Sequence, residues 1–196
     1  MKKNLIIAFA LLIGGSILVR AQENLSFLKG EKTIKIEYNY DNVNVGKKTE
    51  EVYCSEKVSD YNKKTPGKGD KWLVEWKNNR EDSYQPKFED LLNKYLSEKN
   101  ISAYASNNDA KYTMIVKTIV LEPGFNVGVA RKSAYITVEV VFVESANKEK
   151  ILAKKTFKNM PGAAAFGEDY DVGTRVKEGY AKAGKEVAKW ILKMIK

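Results

Sequence analysis

The 196-residue chain carries 34 Lys and Arg against 25 Asp and Glu, a net charge of +9 at pH 7, with 43% hydrophobic and 30% charged residues. That balance is ordinary for a folded domain long enough to bury a core, and it excludes a disordered or low-complexity chain. The sequence holds no histidine and one cysteine, Cys54, which removes the usual triad base, the commonest metal ligand, a structural zinc set and any intramolecular disulfide.

Residues 1–21 read as a secretory leader. Lys2 and Lys3 form its basic start, Leu5 to Leu12 with Ile13 form its apolar stretch, and Val19-Arg20-Ala21 presents a peptidase site, so cleavage after Ala21 leaves Gln22 first. The apolar run ends at Val19, is broken by Gly14, Gly15 and Ser16, and falls short of the roughly 20 residues that span a bilayer. No later stretch is apolar enough to span, so no transmembrane segment is expected after leader removal. The expected location is periplasmic or secreted, with residues 22–196 forming a single α+β domain. With Lys2, Lys3 and Arg20 removed the net charge is +6. In an exported protein this modest excess argues against nucleic acid; it reads as solvated surface lysine or, as the other alternative, as a preference for an anionic envelope component. Cys54 lies far from the cleavage site and is not placed to carry a lipid.

In the mature chain Ile34, Ile36, Tyr38 and Tyr40 alternate with Lys35, Glu37 and Asn39, the pattern of a half-buried strand over Thr33 to Tyr40. A helical block follows. Cys54, Val58 and Tyr61 stand at i, i+4 and i+7, placing the cysteine on the inner stripe of a helix from Thr49 to Asn62, where a thiol acts as a small hydrophobe. Pro66-Gly67-Lys68-Gly69 breaks the chain, and Asp70 is expected to cap a second helix carrying Trp72, Leu73 and Trp76 as core anchors. Pro86 suits the first turn of a third helix with Phe88, Leu91, Leu92, Tyr95 and Leu96 on one face, ended by Asn100 in the left-handed conformation.

A meander of strands comes next: Lys111 to Leu121, Ala134 to Val143, and Glu149 to Phe157. In the central strand Ile136, Val138, Val140 and Phe142 share an apolar face at period two, while the other face is only half apolar. From about Glu168 the chain is helical to its end, with Val172, Val176, Tyr180, Ala183, Val187, Trp190, Ile191 and Met194 on one face and Arg175, Lys182, Lys185, Lys189, Lys193 and Lys196 opposite. The order of elements, strand, helical block, three strands and helix, predicts a two-layer α+β fold with an antiparallel sheet of about four strands and helices on one face.

Four stretches carry a resemblance: Pro66-Gly67-Lys68-Gly69-Asp70-Lys71-Trp72, Tyr112-Thr113-Met114-Ile115-Val116-Lys117-Thr118, Glu122-Pro123-Gly124-Phe125-Asn126-Val127-Gly128, and Glu178-Gly179-Tyr180-Ala181-Lys182-Ala183. Through them most of the mature chain resembles a family of small secreted Gram-negative envelope proteins with no assigned function. The order of elements is also similar to the amino-terminal domain of TolB and to curli-secretion lipoproteins, although the lipid-bearing cysteine is missing. Neither likeness implies functional residues, a catalytic group, a metal or a cofactor.

The residues themselves offer no catalytic constellation. Glu168, Asp169 and Asp171 are spaced to suit calcium or to complement the start of the last helix, and Gly124 to Gly128 lacks the phosphate-loop lysine and dinucleotide glycine patterns. Two function classes remain. One is a non-enzymatic binding or assembly module for an envelope protein or anionic envelope component; the other is a carboxylate-dependent hydrolase of envelope or extracellular glycans. In a meander the connections at Glu122 to Lys132 and Lys158 to Gly167 emerge at the same end. They carry Phe125, Val127, Val129, Met160 and Phe166, which either close that end of the core or form an apolar patch for a partner. The leader reading is checked by mass spectrometry of the exported protein: the first residue is expected to be Gln22, and an intact Met1 form in the membrane fraction would favour an uncleaved anchor.

Overall fold

In strand β8 (Ala134–Glu144) Ile136, Val138, Val140 and Phe142 are fully buried on one face, as the alternation requires. The computed structural model describes residues 24–127, 129–162 and 172–196; the leader, Gly128, Phe166 and the acidic group Glu168, Asp169 and Asp171 lie outside them. On either side of β8 run β5 (Tyr112–Glu122) and β9 (Asn147–Gly162), both antiparallel to it. These three are the expected meander.

The other half of the sheet departs from expectation. β1 (Thr33–Asn39) pairs parallel to β5, from Lys35 opposite Thr113 to Asn39 opposite Lys117, and β4 (Ser102–Tyr104) pairs parallel to β1. β2 (Asn44–Val45) continues the parallel pairing on β5, and β3 (Lys48–Thr49) is antiparallel to β2. The result is a mixed seven-stranded sheet in place of four antiparallel strands. A parallel pair needs a long crossover, and the helical block between β1 and β5 supplies one. β2, β3 and β4 are too short to show any period.

One face of this sheet is dry. Ile34, Ile36, Met114 and Val116 join the β8 row in full burial, beneath α3 (Gln85–Leu96) and α4 (Val172–Met194). α3 contributes Phe88, Leu92 and Leu96, and α4 contributes Val176, Tyr180, Ala183, Val187, Trp190 and Ile191, the stripes read from the sequence. The helices meet at Gly184, where an added Cβ would sit 2.2 Å from the Phe88 carbonyl oxygen. The opposite face is wet and carries cross-strand ion pairs, Lys148 with Glu37 at 2.8 Å and Lys154 with Glu139 at 2.7 Å.

A helical arm leaves the sheet at Thr49, whose hydroxyl caps α1 (Glu50–Lys64) by accepting from the Val52 amide. α1 folds back on α2 (Lys68–Asn79) through a seam of Tyr53, Tyr61, Trp72 and Trp76, with Trp72 and Trp76 ring centroids 5.4 Å apart. The tryptophans thus anchor the arm. Cys54 lies on the same inner stripe, 6% exposed, its thiol pushed up by burial and by the Glu50 charge. Asp70 is not the expected cap: α2 starts two residues earlier after Gly67, and Asn62 accepts from the Gly69 amide at 2.7 Å.

Pro86 stands in the first turn of α3, as expected, but that helix is not separate from the one before it. α2 runs into α3 through a π turn at Arg80–Tyr84, closed by the Gln85 amide donating to the Arg80 carbonyl five residues back. Proline has no N–H for the carbonyl four residues earlier and its ring crowds that oxygen; a wider turn accommodates both. Asn100 ends the helical block with φ of 54° in the left-handed region, as expected.

β9 is an edge strand of 16 residues bearing Lys148, Lys150, Lys154, Lys155 and Lys158, an irregular step at Asn159 with φ of 53°, and Pro161 near its end. The α3–α4 contact is tested by Gly184→Ala. Despite the higher helix propensity of alanine, the clash with the Phe88 carbonyl is expected to lower unfolding free energy by about 1–3 kcal/mol, read as a lower urea midpoint at unchanged slope; a midpoint at or above the parent's would show that the helices do not depend on this close approach.

Candidate functional site

Strand directions bring several segments to one end of the sheet. The Gly46 amide donates to the Leu121 carbonyl at 3.0 Å, Ala134 at the start of β8 lies opposite Gly162 at the end of β9, and a Cβ on Gly162 would meet the Arg175 carbonyl in the first turn of α4. The β5–β8 connection therefore stands beside the exit of β9, as inferred from the meander.

That connection is a small hairpin. After Pro123 and Gly124 the chain forms β6 (Phe125–Asn126) and β7 (Arg131–Lys132), paired antiparallel with Phe125 opposite Lys132. The Val127 amide donates to the Ala130 carbonyl at 3.0 Å and closes the tip. Gly124 has φ of 60°, and a Cβ there would lie 2.3 Å from the Lys132 carbonyl oxygen, so both conformation and space require glycine.

The base of the hairpin is fixed by charge. Buried Glu122 accepts from the Gly124 amide at 3.0 Å and from the Lys132 ammonium at 2.6 Å, and this bond raises the Lys132 pKa. Arg175, only 3% exposed, donates Nε–H to the Pro123 carbonyl at 3.1 Å and Nη2–H to the Gly124 carbonyl at 3.5 Å. The helical wheel set Arg175 on the polar face. In the first turn of α4 the guanidinium instead meets main-chain oxygens of the loop, which satisfy a cation that could not otherwise be buried.

Above this base the apolar residues point out. Phe125 is 44% exposed, Val127 65% and Val129 fully exposed. Met160 does not join them. It lies in β9 opposite Ile136 and packs, half-buried, against the core, because the step at Asn159 carries the pairing past the Phe157 end expected from sequence. Phe166 lies outside the described residues. Of the five residues read from sequence as either closing the core or forming a patch, Phe125, Val127 and Val129 are the exposed ones.

A second polar cluster joins the arm to the body. Glu50 accepts from Trp76 Nε1–H at 2.8 Å and from the Arg80 guanidinium at 2.6 Å, while the same guanidinium stacks on the Tyr40 ring at 4.4 Å. Burial works to raise the Glu50 carboxyl, but the Arg80 and Trp76 bonds outweigh it and hold the pKa below its ordinary value. Behind it Tyr84 stacks on Tyr180 with centroids 5.0 Å apart, and the Tyr180 hydroxyl meets Thr118 Oγ1 at 2.7 Å. Burial raises Tyr40 to about 12. Burial also raises Glu89, although it accepts from Tyr38 and the Ala105 amide. Among the described residues no group of three or more Asp, Glu or Cys is arranged to hold a metal.

Sequence reading missed Glu122, Lys132, Arg175, Glu50 and Arg80. The adjacent Pro-Gly marks Glu122 as the end of a strand, but its partners come from positions that no local period connects.

No family model matches the chain, and no curated protein matches it. Among solved structures it is similar to a DUF330 protein from Xanthomonas campestris, at 17% identity over 55% of this chain and 60% of that one, with a TM-score of 0.39. The chain thus spans 60% of that protein's length, and a likeness of this size carries nothing across.

The clamp is tested by Arg175→Met, which keeps apolar bulk and removes the donors. Unfolding free energy is expected to fall by about 1.5–3 kcal/mol, the weight of hydrogen bonds from a buried charge, and the Val127 amide to lose protection in hydrogen exchange. Unchanged protection at Val127 would show that the hairpin holds without Arg175.

Proposed function

We propose that the protein is a non-enzymatic accessory module of the cell envelope that binds another envelope protein through the tip of the β6–β7 hairpin. The observation that carries this reading is the exposure of Phe125, Val127 and Val129 on a base held by Glu122, Lys132 and Arg175. Apolar side chains on a hairpin with a fixed base lose little further freedom on contact, and full burial of each stabilises a complex by about 1.5–3 kcal/mol. The secretory leader supports a periplasmic or secreted location. The non-enzymatic reading is supported by the state of the partly buried carboxylates: Glu50, Glu89 and Glu122 are each engaged by donors from the chain itself.

The test is site-directed photo-crosslinking at Asn126 in intact envelopes, comparing the parent with a Phe125→Ser, Val129→Ser double variant. Surface substitutions of this kind change stability by about 0.5 kcal/mol or less. The melting temperature is expected to stay near the parent's while a discrete crosslinked species disappears. The same species at the same yield in the variant would refute hairpin docking.

A further inference from the structure

Two cavities meet where the arm joins the body. The first, of about 630 Å³, is a groove along the α1–α2 seam, floored by Cys54, Val58 and Leu73 and reaching Lys77. The second, of about 400 Å³, lies over the π turn beside Tyr40, Arg80, Glu81 and Asp82 and shares Lys77 with the first. The Glu50–Arg80 ion pair stands between them, Glu50 lining the groove and Arg80 the polar chamber. A groove of this volume is in the range of small-molecule sites.

Charge decides what kind of molecule fits. Glu50 and Arg80 neutralise one another, so the side chains left to read a ligand's charge are Lys77, Glu81 and Asp82 in the chamber and Glu51 along the groove, all exposed. One cation beside two anions in the chamber, with a third anion at Glu51 along the groove, disfavours a simple anionic head. It suits a head that offers an anion to Lys77 and an ammonium to the two carboxylates, while the apolar floor suits a hydrocarbon chain.

We propose that the groove and the chamber together bind a single-chain zwitterionic amphiphile, its acyl chain over Cys54, Val58 and Leu73 and its head beside Lys77, Glu81 and Asp82. The site is separate from the hairpin, and its occupancy does not depend on the reading of that tip.

Isothermal titration of the purified full-length protein with monomeric myristoyl-lysophosphatidylethanolamine is expected to show saturable one-to-one binding, tighter than that of the anionic myristoyl-lysophosphatidylglycerol. Leu73→Gln is expected to weaken the first ligand about tenfold, and Lys77→Gln about fivefold, the weight of one partly exposed ion pair. Glu81→Gln with Asp82→Asn is expected to erase the preference between the two heads. Lys77 is exposed, so its variant decides the matter if Leu73→Gln fails to fold. The proposal is overturned by non-saturating binding, by a preference for the anionic ligand, or by an affinity that any of the folded variants leaves as it was. It is equally overturned if sedimentation shows the parent to be a dimer that Leu73→Gln dissociates, because the groove would then be closed by a second copy.

Discussion

The inner rows of β8, β5 and β1 cannot face water. With Ile136, Val138, Val140, Phe142, Met114, Val116, Ile34 and Ile36 all fully buried, the sheet needs one continuous apolar cover, and α3 and α4 provide it only by approaching until the backbone of one touches Gly184 of the other. The opposite face, bearing Glu37 and Glu139, pairs them with Lys148 and Lys154 of β9 and can remain wet. A two-layer arrangement follows from that asymmetry. It also fits the parallel crossover from β1 to β5, whose last helix, α3, lies on the dry side.

Because α3 is committed to the core, the helical stretch before it must find its own burial. α1 and α2 do so by packing on each other through four aromatic rings, and the Glu50, Trp76 and Arg80 cluster sets where this arm meets the body. The π turn at Arg80–Tyr84 performs two tasks at once. It accommodates Pro86 inside a continuing helix, and it places Arg80 toward Glu50 while Tyr84 faces Tyr180 in the core.

Elements with a clear period were legible in the sequence. The alternation in β1 and β8, the stripe of Phe88, Leu92 and Leu96, and the long face of α4 all appear where the residue spacing puts them. The two- and three-residue strands were not legible, since pairing at that length is imposed by the neighbouring β5 and β1. Parallel orientation was likewise hidden, because strand patterns do not encode direction. At the hairpin, the composition of Phe125, Val127 and Val129 marked an apolar loop without deciding between core closure and exposure, and the same composition misplaced Met160, which the irregular step at Asn159 draws into β9. The buried role of Arg175 was invisible for a different reason: a helical wheel describes one helix, whereas the oxygens that receive this guanidinium belong to a turn about fifty residues away in the chain.

The composition of β9 bears on how copies of this protein share a crowded compartment. A strand of 16 residues at a sheet margin would ordinarily offer a neighbour a row of unfilled amides and carbonyls. Five lysines along it make the approach of an identical margin repulsive, Pro161 withholds an amide, and the step at Asn159 spoils the straightness that cross-molecule ladders require. Fibril-like growth through this margin is discouraged by design of the chain itself. Intermolecular recognition is thereby steered toward side chains presented at the sheet's end and along the arm, where shape and chemistry can discriminate, and away from backbone pairing, which cannot.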